Sequence, residues 1–338
     1  MEALFGKDIH DLEAVAANVG LPKFAAKQMA QWLYAKGVTD IDEMTNLSLK
    51  ARTALKENYT IGRYAPVKYQ QSVDGTRKYL FYTPADRYVI ETAMIPDADR
   101  KTLCVSSQVG CKMRCAFCMT GRGGFEAQLS TTDILNQLAS IEEANEITNI
   151  VFMGMGEPLD NIDHVLKALD ILTAPWGFAM SPRRITVSSI GVQSQLPRLL
   201  KESQVHVAIS LHTPFGDERL ALMPSEKAFP IVETLRMLRQ YDWSGQRRLS
   251  FEMTLFHGVN DSPRHAKALA RMLKNLPCRV NLIRFNDIPD TDLHGCTQKQ
   301  MEAFRDMLND LHVTATIRNS KGQDIDAACG LLKATEKE

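Results

Sequence analysis

Between residues 102 and 284, short apolar runs of strand length alternate with longer amphipathic stretches, and this alternation leaves the chain very few architectures. The runs lie at 102–106, 150–153, 184–188, 205–211, 249–255 and 280–284. Strands separated by helix-length connections pair in parallel, because reaching a parallel neighbour takes a crossover of about a dozen residues or more. Six regular units of this kind are too few to close an eight-stranded barrel. They predict an α/β fold, an open or partial (βα)6 barrel, whose loops and site gather at the carboxyl ends of its strands. A last run at 313–317 leads into the segment carrying Cys329.

The first hundred residues read differently. Apolar residues recur at helical spacing at 11–16, 24–35 and 47–59, with breaks at Gly20-Leu21-Pro22 and Gly37. Beyond Val67 the period shortens to two, at 78–82 and 88–94, after a turn at Asp74-Gly75, which predicts a small antiparallel sheet. Pro96-Asp97-Ala98-Asp99 has the composition of a linker. The expected organisation is an N-terminal helical and small-sheet accessory domain, 1–98, followed by a barrel domain, 99–338.

Forty Lys and Arg balance forty Asp and Glu, so no whole-molecule field attracts a polyanion, and any such partner must be gripped locally. The first residues carry acids and no signal-like apolar stretch, and nowhere do about eighteen apolar residues run together. The expectation is a soluble, cytoplasmic chain with no membrane partner. Seven cysteines, an odd number without a secretory signal, disfavour a disulfide framework and point to metal ligation or catalysis.

Cys111-Lys112-Met113-Arg114-Cys115-Ala116-Phe117-Cys118 follows the first barrel strand. Three thiols on one loop suit an iron-sulfur cluster. A zinc knuckle is the alternative, but structural zinc takes four ligands in two clips, and no second clip follows. A four-iron cluster held by three thiolates keeps one iron open for a small molecule, whereas electron-transfer clusters normally use four.

Cys-x3-Cys-x2-Cys with Phe117 before the last thiol, after the first strand of a βα series, resembles the radical S-adenosylmethionine (SAM) superfamily. The segments Leu103 to Cys111, Phe152 to Leu159, Ser210-Leu211-His212 and Asp324 to Gly330 narrow the match. Together they resemble the bacterial radical SAM methyltransferases that act on an adenine of 23S ribosomal RNA. A housekeeping branch methylates carbon 2 and also treats a tRNA adenine; a resistance branch methylates carbon 8. The housekeeping branch is favoured because it is commoner. The chemistry is coherent, since an amidine carbon is no nucleophile and cannot simply attack a sulfonium methyl.

The resemblance implies a 4Fe-4S cluster on Cys111, Cys115 and Cys118, and two SAM molecules per turnover. One methylates Cys329; the other supplies the radical that strips a hydrogen from that methyl. The RNA is then joined to Cys329 and released by Cys104, and the two thiols end as a disulfide. Such release asks for a flexible Cys329 loop. Glu91 is the implied proton acceptor. Gly156 and Glu157 would meet the amino end of SAM, with Phe117, Ser188, Ser210, Leu211, His212 and Asn286 lining the rest of its pocket. Gly154 and Gly156, at a strand end, are read as letting backbone approach that ligand. Implied partners are 23S rRNA, tRNA and an electron donor such as flavodoxin or ferredoxin, with a monomeric enzyme. Local basic candidates for RNA are Arg100-Lys101, Lys112 with Arg114, Arg122, Arg183-Arg184, Arg247-Arg248 and Arg318 with Lys321, if they converge on the cluster-bearing edge. A non-enzymatic reading, a redox-sensing iron-sulfur protein, would leave Glu157 and the glycines without a task.

Overall fold

The computed structural model describes residues 1–84 and 88–333. Fourteen strands are present among them. β1 (Glu2–Ala3) and β2 (Tyr59–Thr60) pair in parallel and tie the ends of the helical N-terminal region together. That region contains the helices Ile9–Asn18, Ala25–Ala30 and Leu49–Asn58, close to where periodicity places them. Asp8 caps the first through its own carboxylate and Ser48 caps the third.

The main sheet is built from β3 (Lys68–Gln71), β4 (Arg77–Tyr82), β5 (Val89–Asp97), β6 (Arg100–Cys104), and then from the crossover strands. Between them a short antiparallel pair, β7 (Gln108–Gly110) and β8 (Phe125–Gln128), brackets the cysteine loop. The crossover strands are β9 (Asn149–Phe152), β10 (Ile185–Ser189), β11 (His206–Ser210), β12 (Leu249–Leu255), β13 (Arg279–Arg284) and β14 (Ala315–Arg318). The order is β14-β13-β12-β11-β10-β9-β6-β5-β4-β3. From β6 to β14 all neighbours are parallel, the six expected strands plus β14, and from β3 to β6 they are antiparallel.

Two expectations are corrected here. The antiparallel strands are no separate small sheet but extend the barrel sheet, and residues 96–99 are no linker. Asp97 pairs with Arg100 across a tight turn at Ala98, whose φ is 44°. The reason is burial: Ala93 and Met94 of β5 lie opposite Cys104 and Leu103 of β6, and all four are buried, so apolar packing runs straight across the supposed boundary.

The parallel portion curls. Met153, at the end of β9, accepts a hydrogen bond on its sulfur from Arg318 of β14 at 3.2 Å. Five strand spacings of a flat sheet would hold these residues about 24 Å apart. Side-chain alternation then sorts the strands: Val187, Val207, Ile209, Phe251, Met253, Val280 and Leu282 are fully buried against the outer helices. Their neighbours in sequence, Ser188, Ser210, Ser250, Glu252 and Asn281, border the interior, as does Arg318 of β14.

Candidate active site in the barrel interior

Two cavities occupy the curled sheet. The smaller, about 160 Å³, lies under the cysteine loop at the carboxyl ends of the strands. Cys111, Cys115 and Cys118 border it together with Phe117, Gly156, Glu157, Ser188, Ser210 and His212. The larger, about 610 Å³, runs through the barrel interior and is bordered by Cys104 of β6 and Arg318 of β14. Cys329 borders both.

The cysteine loop is positioned from both sides. The Cys111 N–H donates to the Gly124 carbonyl at 2.6 Å, the Ala116 N–H to the Leu222 carbonyl at 2.9 Å, and Arg114 takes a left-handed conformation with φ 53°. Burial pushes the Cys111 thiol up to about 12 and Cys115 well above its ordinary value. The negative charges of Glu157 and Cys118 add to this at both thiols, and that of Cys111 adds at Cys115, where the Arg219 guanidinium opposes the rise. Thiols that repel one another as anions are eased by a cationic group among them. Among the described residues, no three His, Cys, Asp or Glu gather around one point as the ligands of a single ion do. The three thiols border one cavity.

Glu157 is 3% exposed and its carboxylate accepts from the Leu159 and Ile190 N–H groups, each at 3.0 Å. Burial nonetheless pushes it up to about 7 against those bonds. Its own N–H donates to Gln108 at 2.8 Å. Gly156 sits before it at φ 100°, and a Cβ there would lie 2.5 Å from the Gln108 Cβ. A Cβ on Gly154 would lie 2.7 Å from the Val105 carbonyl oxygen. The sequence predicts that these glycines admit a ligand; what they admit is the chain's own segment between β6 and the cysteine loop, although both also border the cavity. His212 is buried, with φ 60°; its Nδ1 accepts from the Thr254 N–H at 3.0 Å, and burial together with Arg219 lowers it to about 3, so the ring is neutral. Phe117 lies 4.6 Å from that ring.

Two expected pocket residues stand elsewhere. Leu211, just past the end of β11 and between the cavity-lining Ser210 and His212, has its side chain fully buried in the core. Asn286 does not border the cavity; it donates to the Cys329 carbonyl at 3.4 Å and accepts from Ser320 and Gln323. It shapes the Cys329 loop.

That loop is held at several points. Asp324 accepts from the Ser72 hydroxyl at 2.5 Å and the Val73 N–H at 3.2 Å. The Gly330 carbonyl accepts from the Met119 N–H at 2.8 Å, and the Lys333 N–H donates to Glu91 at 2.7 Å. The segment expected to be flexible is thus anchored at the β3–β4 turn, at the short helix Met119–Arg122 and on β5. Cys329 keeps accessible surface while protein encloses it, because the surface it touches is cavity wall. Burial raises its thiol and that of Cys104, the latter to about 12; Arg318 opposes the rise at both. All seven cysteines are free, so the expected disulfide between Cys104 and Cys329 is not formed. Glu91 borders neither cavity. It is 4% exposed, raised above the ordinary carboxylate range by burial, and paired with Lys78 at 3.4 Å. It does share a sheet face with Cys104, through the Leu80, Ala93 and Cys104 pairings.

Of the basic candidates, Arg100, Arg183, Arg184, Arg248, Arg318 and Lys321 converge, but around the larger cavity and not on the cluster-bearing edge. Arg247 is structural, donating to the Val205, Leu200 and Leu199 carbonyls. Lys112 pairs with Asp160 and Arg122 reaches the Pro289 and Asp290 carbonyls. Sequence reasoning missed Glu252 and the structural weight of Arg219. A lone acid inside Leu249–Leu255 was the available signal for the first; Arg219, buried under the Ser210 and Leu211 carbonyls, had none.

Comparison with known proteins agrees with this geometry. Residues 105–269 match the Radical SAM superfamily, and residues 3–61 match the Ribosomal RNA large subunit methyltransferase N-terminal domain. A probable dual-specificity RNA methyltransferase RlmN of Phocaeicola vulgatus is 57% identical, covering 99% of this chain and 96% of its own. The dual-specificity RNA methyltransferase RlmN of Syntrophus aciditrophicus is 41% identical over 98% of this chain and 96% of its own. The crystal structure of a radical SAM methyltransferase from Sphaerobacter thermophilus superimposes with a TM-score of 0.92 at 38% identity, covering 99% of this chain and 100% of that one. Among the described residues no helix is long and apolar enough to cross a membrane.

Proposed function

The chain belongs to the RlmN family of radical SAM dual-specificity RNA methyltransferases, and from that membership we propose that it methylates carbon 2 of an adenine in 23S rRNA, and of an adenine in tRNA, through a methylated Cys329. The observation that carries this reading is the position of Cys329 on the wall common to both cavities. A thiol there can take a methyl group from the side of Cys111, Cys115 and Cys118 and present it to a base on the side of Cys104.

A 4Fe-4S cluster held by Cys111, Cys115 and Cys118 supplies, when bound, one-electron cleavage of SAM to a 5′-deoxyadenosyl radical. The chain's own residues do the rest. Glu157, its carboxylate fixed by two backbone N–H groups, receives the amino end of SAM. Ser188, Ser210, neutral His212 and Phe117 line the space beside it. Cys329 acts as methyl acceptor and carbon carrier, and Arg318 favours the thiolate it needs. Cys104 is the thiol that frees the product, and Glu91, on the same sheet face, is the proton acceptor. Two SAM molecules are consumed per turnover, electrons come from a donor such as flavodoxin or ferredoxin, and the enzyme works as a monomer in the cytoplasm.

The test uses iron-reconstituted protein, a reductant, substrate RNA and methyl-trideuterated SAM, with mass analysis of the nucleosides. The expected product is 2-methyladenosine whose methyl carries two deuteriums, because one is abstracted before the carbon–carbon bond forms. Three retained deuteriums would mean direct transfer and reject the Cys329 route; a methyl on carbon 8 would assign the chain to the sister activity.

A further inference from the structure

Glu252 of β12 has no part in the mechanism above, yet its chemistry is unfinished. It is 3% exposed and borders the cavity that also holds Cys329. One carboxylate oxygen, Oε1, accepts from Asn281 Nδ2 at 2.7 Å and Ser250 Oγ at 3.1 Å. The other, Oε2, has no hydrogen-bond partner. A buried carboxylate oxygen without a donor is costly, and such a group marks a place where a donor belongs. The guanidinium of Arg318 stands 3.8 Å away, too far for a hydrogen bond. Arg318 in turn donates to a weak acceptor, the Met153 sulfur, and keeps 37% of its side chain accessible, toward the larger cavity. An acceptor and a donor thus lie side by side, neither satisfying the other, where the two cavities meet at Cys329.

We propose that Glu252 and Arg318 read the edge of the target adenine, Glu252 accepting from its 6-amino group and Arg318 donating to the ring nitrogen beside the carbon that bonds to the Cys329 methylene. This rests on the reading of the chain as an adenine methyltransferase acting through Cys329. An acceptor next to a donor matches the donor–acceptor order of adenine's N6 and N1, and guanine presents the reverse order there. N1 adjoins carbon 2, so the contact that identifies the base also orients the reacting carbon. Donation to N1 draws electron density from that carbon and eases attack by an electron-rich carbon radical. The adenine of SAM offers the same edge, and Glu252 borders the cavity of the Cys111, Cys115 and Cys118 thiols; but Arg318 borders the cavity of Cys104, so a base meets both groups only where the two cavities join at Cys329.

The test compares equilibrium binding and methylation of a stem-loop RNA carrying adenine, purine (no 6-amino group) or 1-deazaadenine (no N1) at the target position, with holoenzyme. Ratios between RNAs are taken within one preparation, so a partly inactive fraction cancels. Wild-type protein should prefer adenine over either analogue by about 10- to 100-fold. Glu252→Ala should bind adenine and purine alike, and Arg318→Ala should bind adenine and 1-deazaadenine alike. If Glu252→Ala does not fold, Glu252→Gln serves. Asn281 and Ser250 both donate to Oε1, so the glutamine oxygen takes that position and its NH₂ replaces Oε2, facing the 6-amino group donor to donor; the preference over purine should again vanish. Glu252 variants that keep the full preference, or that lose SAM binding with the preference intact, overturn the proposal. Wild-type protein that methylates no adenine at all instead rejects the reading beneath it.

Discussion

Two thiols of the same residue type stand in different surroundings. Cys104 sits on β6 facing the interior, buried with Ala93 and Ala327, while Cys329 borders open cavity on both sides. The same guanidinium, Arg318, opposes the upward push on each thiol. If Cys329 carries the carbon and Cys104 releases it, the two deletions fail in opposite ways. Cys329→Ala should form no covalent species. Cys104→Ala should stop with RNA attached to the protein, seen after expression in bacteria as a nuclease-sensitive, slowly migrating band on a denaturing gel, and absent from the double variant. Normal turnover by Cys104→Ala would refute the division of roles. At this scale the cysteine loop is legible in the sequence because thiol spacing is itself a chemical statement. Glu252 is not, because whether a strand carboxylate points to solvent or into a cavity depends on what curls around it.

Among the elements, sequence pattern places the parallel strands of the main sheet to within about two residues. A motif read as a string assigns Ser210, Leu211 and His212 to one pocket; the chain leaves β11 at Ser210 and turns left-handed at His212, and the Leu211 side chain packs into the core instead. The turn at Pro96-Asp97-Ala98-Asp99 misleads for a similar reason, since the residues that make a tight hairpin turn also make a linker, and only the pairing of Ala93 with Cys104 decides between them. Gly156 joins two elements. Replacing it with Ala combines a left-handed backbone with a Cβ 2.5 Å from that of Gln108. The expected cost is about 3 kcal/mol, and the hydrogen bond from Glu157 to Gln108 should break with it. Thermal unfolding and SAM binding should both register the change; unchanged melting would show that the β7 segment yields at no cost.

On the scale of the whole molecule, zero net charge conceals a strongly local field. Arg183, Arg184, Arg248 and Arg279 border the larger cavity, and none has a carboxylate partner within ion-pair distance among the described residues. Burial and the Arg248, Arg247 and Arg183 charges lower His206, at the same rim, to about 4. If RNA phosphates lie here, changing Arg183 and Arg184 to Ala should reduce the log–log salt slope of RNA binding by about 0.7 to 0.9 for each phosphate no longer neutralised, measured by fluorescence anisotropy over a potassium chloride series. An unchanged slope would move the RNA path off this rim. The amino-acid sequence alone determined what is written in local order: the alternation of strands and crossover helices, the three-thiol loop, the strand-end Gly-x-Gly-Glu and the terminal cysteine. These depend on periods of two and about 3.6 residues and on spacing within one loop, which the chain carries wherever it folds. The tertiary structure decided what depends on closure. The antiparallel strands joined the barrel sheet, Cys329 came to lie between two cavities, scattered arginines became one rim, and the spare oxygen of Glu252 was set beside Arg318. Each of these joins residues far apart in sequence through the curl of a sheet whose degree of closure no local pattern encodes.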